Sequence, residues 1–298
     1  MPHIVSKLLV LSLFAVVNTA QALTIFTCEP EWAALSQSLA PEAKVFSATH
    51  VYQDPHYIEA RPSLISKLAK ADIAICSGAG LESGWLPALQ KRASNRQVTD
   101  GADGMLYLAP FIETIGQHET KFFSTEHVHP EGNPHFHLDP ERVSILAEVI
   151  TQRLQLIDPD SQEQYQQTLI QWKKNWQNSI QSWQQQASQL KGQPVVVQHT
   201  SFDYLIDWVG MEVIADLEPA PGVPPTMAHA QSLVEDTRKS QPAAILTNWY
   251  QNDRAADWLS GKTGVQHLNL PATVDLKGEI NNLERLFDHL LSQLQVAK

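Results

Sequence analysis

The chain has 298 residues, 43% hydrophobic and 18% charged, with 13 Gly, 18 Pro and no low-complexity tract. That composition excludes disordered, collagen-like and coiled-coil classes and provides for one large domain or two medium lobes. Acids outnumber bases 32 to 21, a formal charge of -11, without a basic run or face. The chain therefore lacks the electrostatic footprint of a nucleic-acid binder, and its acidic field favours small cations, although many proteins of this charge are simply soluble.

The first 22 residues read as a secretory signal. Lys7 is the only charged side chain before Glu29, and the apolar run Leu8 to Val17 ends in Asn18, Thr19 and Ala20-Gln21-Ala22, so cleavage is expected after Ala22. At about ten residues the run is too short to span a bilayer, and no later stretch reaches the roughly 20 apolar residues of a spanning helix. Cys28 lacks a lipid-attachment motif, which points to a soluble protein of a Gram-negative periplasm. The only two cysteines, Cys28 and Cys76, end apolar runs that read as neighbouring strands. In an oxidising compartment they are expected to form a disulfide, contributing about 4 kcal/mol by loop-closure entropy; two buried thiols or a thiolate metal site are the alternatives.

Apolar runs alternate with helical periodicity from Leu23 to about Asp158. Strands are predicted at Thr24 to Cys28, Lys44 to Thr49, Asp72 to Ser77 and Met105 to Ala109, with helices at Glu31 to Ala40, Pro62 to Ala71 and Leu81 to Arg92. Asp139-Pro140-Glu141 supplies an N-cap, a first-turn proline and an early acid for a helix reaching Ile157. Next, Tyr165, Leu169, Trp172, Trp176, Ile180, Trp183, Ala187 and Leu190 recur at spacings of 3 or 4. They form one apolar stripe on a helix from Ser161 to Lys191, about 45 Å long at 1.5 Å per residue; the tryptophans read as packing rather than ligand stacking.

A second alternating unit follows Gly192 and Pro194. Strands are predicted at Val195 to Gln198, Glu212 to Ala215, Ala243 to Thr247 and Val265 to Leu270. Helices fall at Phe202 to Val209, Met227 to Lys239, Arg254 to Ser260 and Glu279 to Gln295, and Glu218 to Pro225 is a stiff proline-rich loop. The expected architecture is α/β: residues 1–22 a signal peptide, 23–157 one lobe, 158–193 a linking helix and 194–298 a second lobe.

Five of the twelve histidines fall between His118 and His137, the last four as two His-x-His pairs, His127/His129 and His135/His137. Imidazole is the commonest metal ligand and suits zinc and copper. His56 stands in the loop after the second strand and His199 directly after Val195-Val196-Val197-Gln198. Both are at carboxyl ends of strands, where α/β sheets gather ligands. Asp54 and Asp139 are available to fix imidazole tautomers.

Three segments, Asp54-Pro55-His56-Tyr57, Gly132-Asn133-Pro134-His135-x-x-Leu138-Asp139-Pro140 and Val195-Val196-Val197-Gln198-His199-x-x-Phe202-x-Tyr204, resemble motifs of the periplasmic zinc- and manganese-binding proteins of metal ABC importers. Leu81-Glu82-Ser83-Gly84-Trp85-Leu86 is similar to a further segment of that family. The resemblance implies two α/β lobes bridged by a rigid helix, a cleft metal held by His56, His135 and His199, and a monomer that hands zinc to a membrane permease. Three imidazoles suit zinc, whereas manganese prefers oxygen ligands. Asn269 stands where many members carry an aspartate, which leaves water, Asp275 or a carboxylate of the last helix as the fourth ligand. His137 stands where others have tryptophan, and whether it replaces or assists His135 is open. His118, His127 and His129 lie where zinc-specific members carry a histidine-rich loop, and with His137 are expected to capture metal in an auxiliary role.

Two rival readings stand beside this one. His135-Phe136-His137-Leu138-Asp139 resembles the His-x-His-x-Asp run of some zinc hydrolases, although Pro140 follows where those enzymes have another histidine. A periplasmic zinc buffer or chaperone without a transporter would have the same ligands.

Overall fold

The computed structural model describes residues 22–116, 131–219 and 226–297. The apolar runs of the first half form four short parallel strands, β1 (Thr24–Thr27), β2 (Lys44–Ser47), β3 (Ile73–Cys76) and β4 (Met105–Tyr107), in the order β2-β1-β3-β4. Phe26 pairs with both Phe46 and Ala74, which sets the register across the middle of the sheet. Helices α1 (Pro30–Leu39), α2 (Pro62–Leu68) and α3 (Leu86–Ala93) connect these strands, and α4 (Pro140–Ile157) follows. α4 starts as its sequence requires: Asp139 Oδ1 accepts from the N–H groups of Glu141 (2.8 Å) and Arg142 (3.2 Å), ahead of Pro140.

The second half repeats the pattern. After the long helix α5 (Gln162–Ala187) come β5 (Pro194–Val197), α6 (Asp203–Val209), β6 (Glu212–Asp216), α7 (Met227–Ser240), β7 (Ala244–Asn248), α8 (Arg254–Thr263), β8 (His267–Leu270) and α9 (Leu283–Val296). The strands are again all parallel, ordered β6-β5-β7-β8. In each sheet the first strand is internal, and its chain leaves to one side before returning to the other. The carboxyl ends of β1 and β5 therefore lie where connections diverge, the place at which open α/β sheets build sites.

α5 binds the two sheets into one molecule. Its stripe Tyr165, Leu169, Trp172, Trp176, Ile180, Trp183 and Ala187 is buried, and one continuous apolar core runs from Ile25 and Ile73 through that stripe to Val195, Leu246 and α9. Trp172 stacks on Trp176 at 5.0 Å, and Trp183 lies 4.8 Å from Phe287 of α9. The buried indole N–H groups are satisfied, Trp176 by the Pro140 carbonyl (2.8 Å) and Trp183 by Asp288 (2.7 Å).

Three elements differ from expectation by four residues or more at one end. α5 has 26 residues rather than a span from Ser161 to Lys191, and Leu190 completes the stripe from the turn beyond it. α3 starts at Leu86, because positive φ at Gly78, Ala79 and Gly80 keeps the preceding segment in turns and Pro87 sits in the first helical turn. α9 starts at Leu283, where Asn282 caps the Arg285 N–H at 2.8 Å. The Cys28–Cys76 disulfide joins the ends of β1 and β3, with Cα atoms 4.8 Å apart. No helix among the described residues is long and apolar enough to cross a membrane.

Candidate metal centre

His56, His135 and His199 meet between the two sheets. One ligand-capable nitrogen of each lies within 4.8 Å of the others, and among the described residues the group includes no carboxylate or thiol. The His56 ring is 5.9 Å from that of His135 and 6.1 Å from that of His199, centroid to centroid. Nitrogens about 2.0–2.1 Å from a tetrahedral zinc are roughly 3.3 Å apart, so small side-chain movements bring this trio onto an ion.

Each imidazole is held differently. His56 follows Asp54-Pro55, and Asp54 Oδ1 accepts from both the His56 backbone N–H (3.0 Å) and the ring Nδ1 (2.7 Å). That contact places the ring proton on Nδ1 and presents Nε2. Burial opposes ionisation of Asp54, but the hydrogen bonds from the ring and backbone N–H of His56 outweigh it and hold the carboxyl below its ordinary value. The Trp85 indole fixes the same loop by donating to the Pro55 carbonyl (2.9 Å).

His135 is buried at the entry to a short 3₁₀ turn, its N–H bound to Asn133 Oδ1 at 2.9 Å. His199 leaves β5 with φ +64°, a backbone conformation that costs an L-residue about 1–3 kcal/mol. Its N–H donates to Asp216 Oδ1 (3.2 Å), and Gln251 Nε2 holds the preceding carbonyl (3.1 Å). Glu218 Oε2 lies 3.8 Å from His199 Nδ1. Burial pushes Asp216 up to about 6 against the N–H groups of Glu218 and His199.

A cavity of about 260 Å³ opens beside the trio, lined by Asp54, His56, Gln198, His199, Glu218 and Gln251 among others. At one side Tyr52, four residues before His56, stacks on Trp249 of the opposite half at 5.2 Å and 8°. Trp249 is itself anchored, its N–H on Leu270 O (3.1 Å) and its indole on Asn269 O (3.2 Å).

A family model described as ZnuA, zinc-uptake complex component A, periplasmic, matches residues 25–297. The chain belongs to this family. The crystal structure of ZnuA superposes with TM-score 0.78 at 18% identity, covering 93% of this chain and 99% of that one. A manganese-bound periplasmic metal binding protein from Candidatus Liberibacter asiaticus superposes with TM-score 0.75 at 17% identity, covering 93% and 99%. In sequence, the manganese ABC transporter substrate-binding lipoprotein scaA of Streptococcus gordonii is 31% identical over 132 residues, 41% of this chain and 37% of that protein. The metal ABC transporter substrate-binding lipoprotein SsaB of Streptococcus sanguinis is also 31% identical over 132 residues, with 38% of its length covered. The chain thus spans less than two fifths of the length of these curated relatives.

The remaining candidate residues of this ZnuA-family chain, among those described, lie apart from the cluster of three histidines. His137 is outside the cluster formed by His56, His135 and His199, within the 3₁₀ turn Phe136–Leu138. It is buried, its ring centroid 6.3 Å from that of His135, its Nδ1 3.0 Å from Glu31 Oε1 and its Nε2 2.7 Å from the Ala272 carbonyl. In the run His135-x-His137-x-Asp139, Asp139 caps α4 and does not join the cluster of the three histidines. Asp275 does not join the trio either; its Oδ1 accepts from Lys277 N (3.2 Å) in its own turn. On the last helix Asp288 takes the Trp183 indole. His118, His127 and His129 lie outside the described residues, as do residues 1–21 of the expected signal segment 1–22.

Sequence reasoning passed over a set of buried acids behind the site. Glu29, Glu31 and Glu82 are each at most 3% exposed. Glu29 Oε2 accepts from the Ser77 N–H and hydroxyl (both 3.2 Å), and both Glu82 oxygens lie 3.1 Å from Gly78 N. Burial, with Glu82 and Glu31 close by, raises Glu29 well above the carboxylate range; burial pushes Glu82 up to about 7. The signal available was Glu29 directly after β1, at the divergence point of the first sheet.

Proposed function

We propose that this protein is an exported, periplasmic zinc-binding protein that delivers Zn2+ to the membrane permease of an ABC importer, without catalysis of its own. The observation that carries the zinc assignment is the donor set: three imidazoles from both halves of the molecule, with no carboxylate in the group among the described residues. Zinc takes nitrogen ligands in a tetrahedral sphere, whereas manganese favours oxygen. Water from the adjoining cavity completes the sphere. Residues 23–157 and 194–298 act as the two lobes about the linking segment 158–193, after removal of residues 1–22 behind Ala22.

Manganese is the second reading, favoured by the printed role of scaA and by Asp54 and Glu218 beside the imidazoles. Elemental analysis of protein purified from the periplasm, followed by zinc–manganese competition in calorimetry, separates the two. One equivalent of zinc, retained against excess manganese and lost in His56→Ala, is expected. Equal affinity in wild type and His56→Ala overturns the site, and preference for manganese overturns the metal.

A further inference from the structure

Asn133 lies two residues before His135, is 7% exposed, and has every polar atom engaged. Its N–H donates to Ile115 O (2.9 Å), and its carbonyl accepts from the Tyr204 hydroxyl (2.8 Å), which itself accepts from Ile115 N (3.0 Å). In the side chain, Oδ1 accepts from His135 N (2.9 Å) while Nδ2 donates to Thr200 O (2.8 Å), with Asp203 Oδ2 at 3.4 Å. Ile115 and His135 belong to the first half of the molecule; Thr200, Asp203 and Tyr204 belong to the second. One planar amide thus connects the backbone of His135 to the carbonyl of the residue that follows His199.

We infer that Asn133 is a positioning residue that sets the separation of His135 and His199 across the cleft, and with it the affinity and residence time of the metal, without touching the metal itself. The inference rests on the proposed three-histidine site. Its physical basis is the rigidity of the amide. Both hydrogen bonds, at 2.9 and 2.8 Å, are made by the one amide group, so displacing one half of the molecule relative to the other at this point breaks a largely buried hydrogen bond. The tie also falls where it is most needed, since His199 has an unfavourable φ of +64° and the Thr200 carbonyl is fixed by Asn133 directly beyond it.

A purely local role predicts something different. A residue that only capped the 3₁₀ turn at His135 would use Oδ1 alone, and aspartate would serve equally. Asn133→Asp therefore discriminates: it keeps the acceptor for His135 N–H, removes the donor to Thr200 O, and sets a carboxylate against that carbonyl and against Asp203. The added negative charge near a bound cation favours binding, so any weakening arises in spite of it.

The test measures zinc affinity by competition with a fluorescent chelator and release by stopped-flow mixing with excess chelator, in wild type, Asn133→Asp, His199→Ala and the double variant. Partners that orient ligands typically change metal affinity by about 10- to 100-fold. Asn133→Asp is expected to weaken zinc in that range and to accelerate release, while costing less than about threefold in the His199→Ala background, where there is no separation left to hold. Wild-type affinity in Asn133→Asp, or an equal loss in both backgrounds, overturns the positioning role. If Asn133→Asp does not fold, Tyr204→Phe carries the test: it removes the hydroxyl that joins Asn133 O to Ile115 N and leaves the amide. Faster release is then expected, and an unchanged rate overturns the inference. Retained zinc binding in His56→Ala would instead refute the metal site, which keeps the two failures distinguishable.

Discussion

Asp54→Asn isolates the electrostatic contribution of one carboxylate to one ligand. Asp54 Oδ1 receives both the backbone N–H and the ring Nδ1 of His56, and hydrogen bonds from His56 hold the carboxyl ionised. Asparagine can keep both acceptor contacts through its own Oδ1, so the loop geometry survives and only the charge is lost. A carboxylate behind a ligating histidine fixes its tautomer and raises its basicity, and removing such partners typically costs 10- to 100-fold in metal affinity, about 1.4–2.7 kcal/mol. The Asp54 side chain is 39% exposed, so solvent screens it and the lower end applies, about tenfold. Asp54→Ala should cost more, since the backbone N–H of His56 also loses its acceptor. Competition titration with a zinc chelator at fixed pH and ionic strength reads both variants. If Asp54→Asn binds within twofold of wild type while His56→Ala loses zinc, Asp54 only shapes the loop and the argument from ligand basicity is wrong.

The buried acids make stability pH-dependent. With Glu82 raised from 4.5 to about 7, the folded protein retains a proton that the unfolded chain releases, so this stabilisation is fully present below about 4.5 and is lost as pH rises through 7. Urea unfolding at pH 5, 6, 7 and 8 should show that decline, and Glu82→Gln should flatten it; an unaltered slope refutes the assignment. Reducing Cys28–Cys76, which spans 48 positions, should cost up to about 4 kcal/mol in the loop-entropy picture, seen as a lower midpoint in denaturant with dithiothreitol. Replacing His118, His127 and His129 by asparagine should leave the tight zinc equivalent intact and remove any weaker one in calorimetry. Loss of the tight equivalent would make those histidines part of the main site.

What could be read from the chain was whatever depends on local pattern. Short apolar runs marked all eight strands to within a residue or two, because strands buried on both faces are near-continuous in hydrophobicity. The 3–4 spacing from Tyr165 onward located α5, and its end was missed because Leu190 extends the stripe from a turn. His56 and His199 were legible through their position after strands, and His135 through the dense run of histidines and the Gly132 to Pro140 motif. His137 was not, since its partners Glu31 and Ala272 are 106 and 135 residues away and only the fold brings them together. The same holds for Glu29 with Glu82 and for Asn133 with Thr200: buried polar pairs between distant segments leave no periodic trace.

The continuity of the core decides where this molecule can move. Trp172, Trp176 and Trp183 pack in one cluster with Phe287, and that cluster is continuous with residues of both sheets. Parting the lobes widely would expose several of these rings, at roughly 1.5–3 kcal/mol for each large apolar side chain returned to water, before any backbone hydrogen bond of α5 is broken. The contact of the His56 loop with Trp249 of the opposite half is far weaker. Tyr52 is 59% exposed and meets Trp249 through a single stacked face, a contact of about 0.5–1.5 kcal/mol. Thermal motion therefore parts this stack long before it opens the core. Exchange of metal is expected to proceed by displacement of the loop from Thr49 to Arg61, which holds both Tyr52 and His56, while Asn133 keeps His135 and His199 in register behind it.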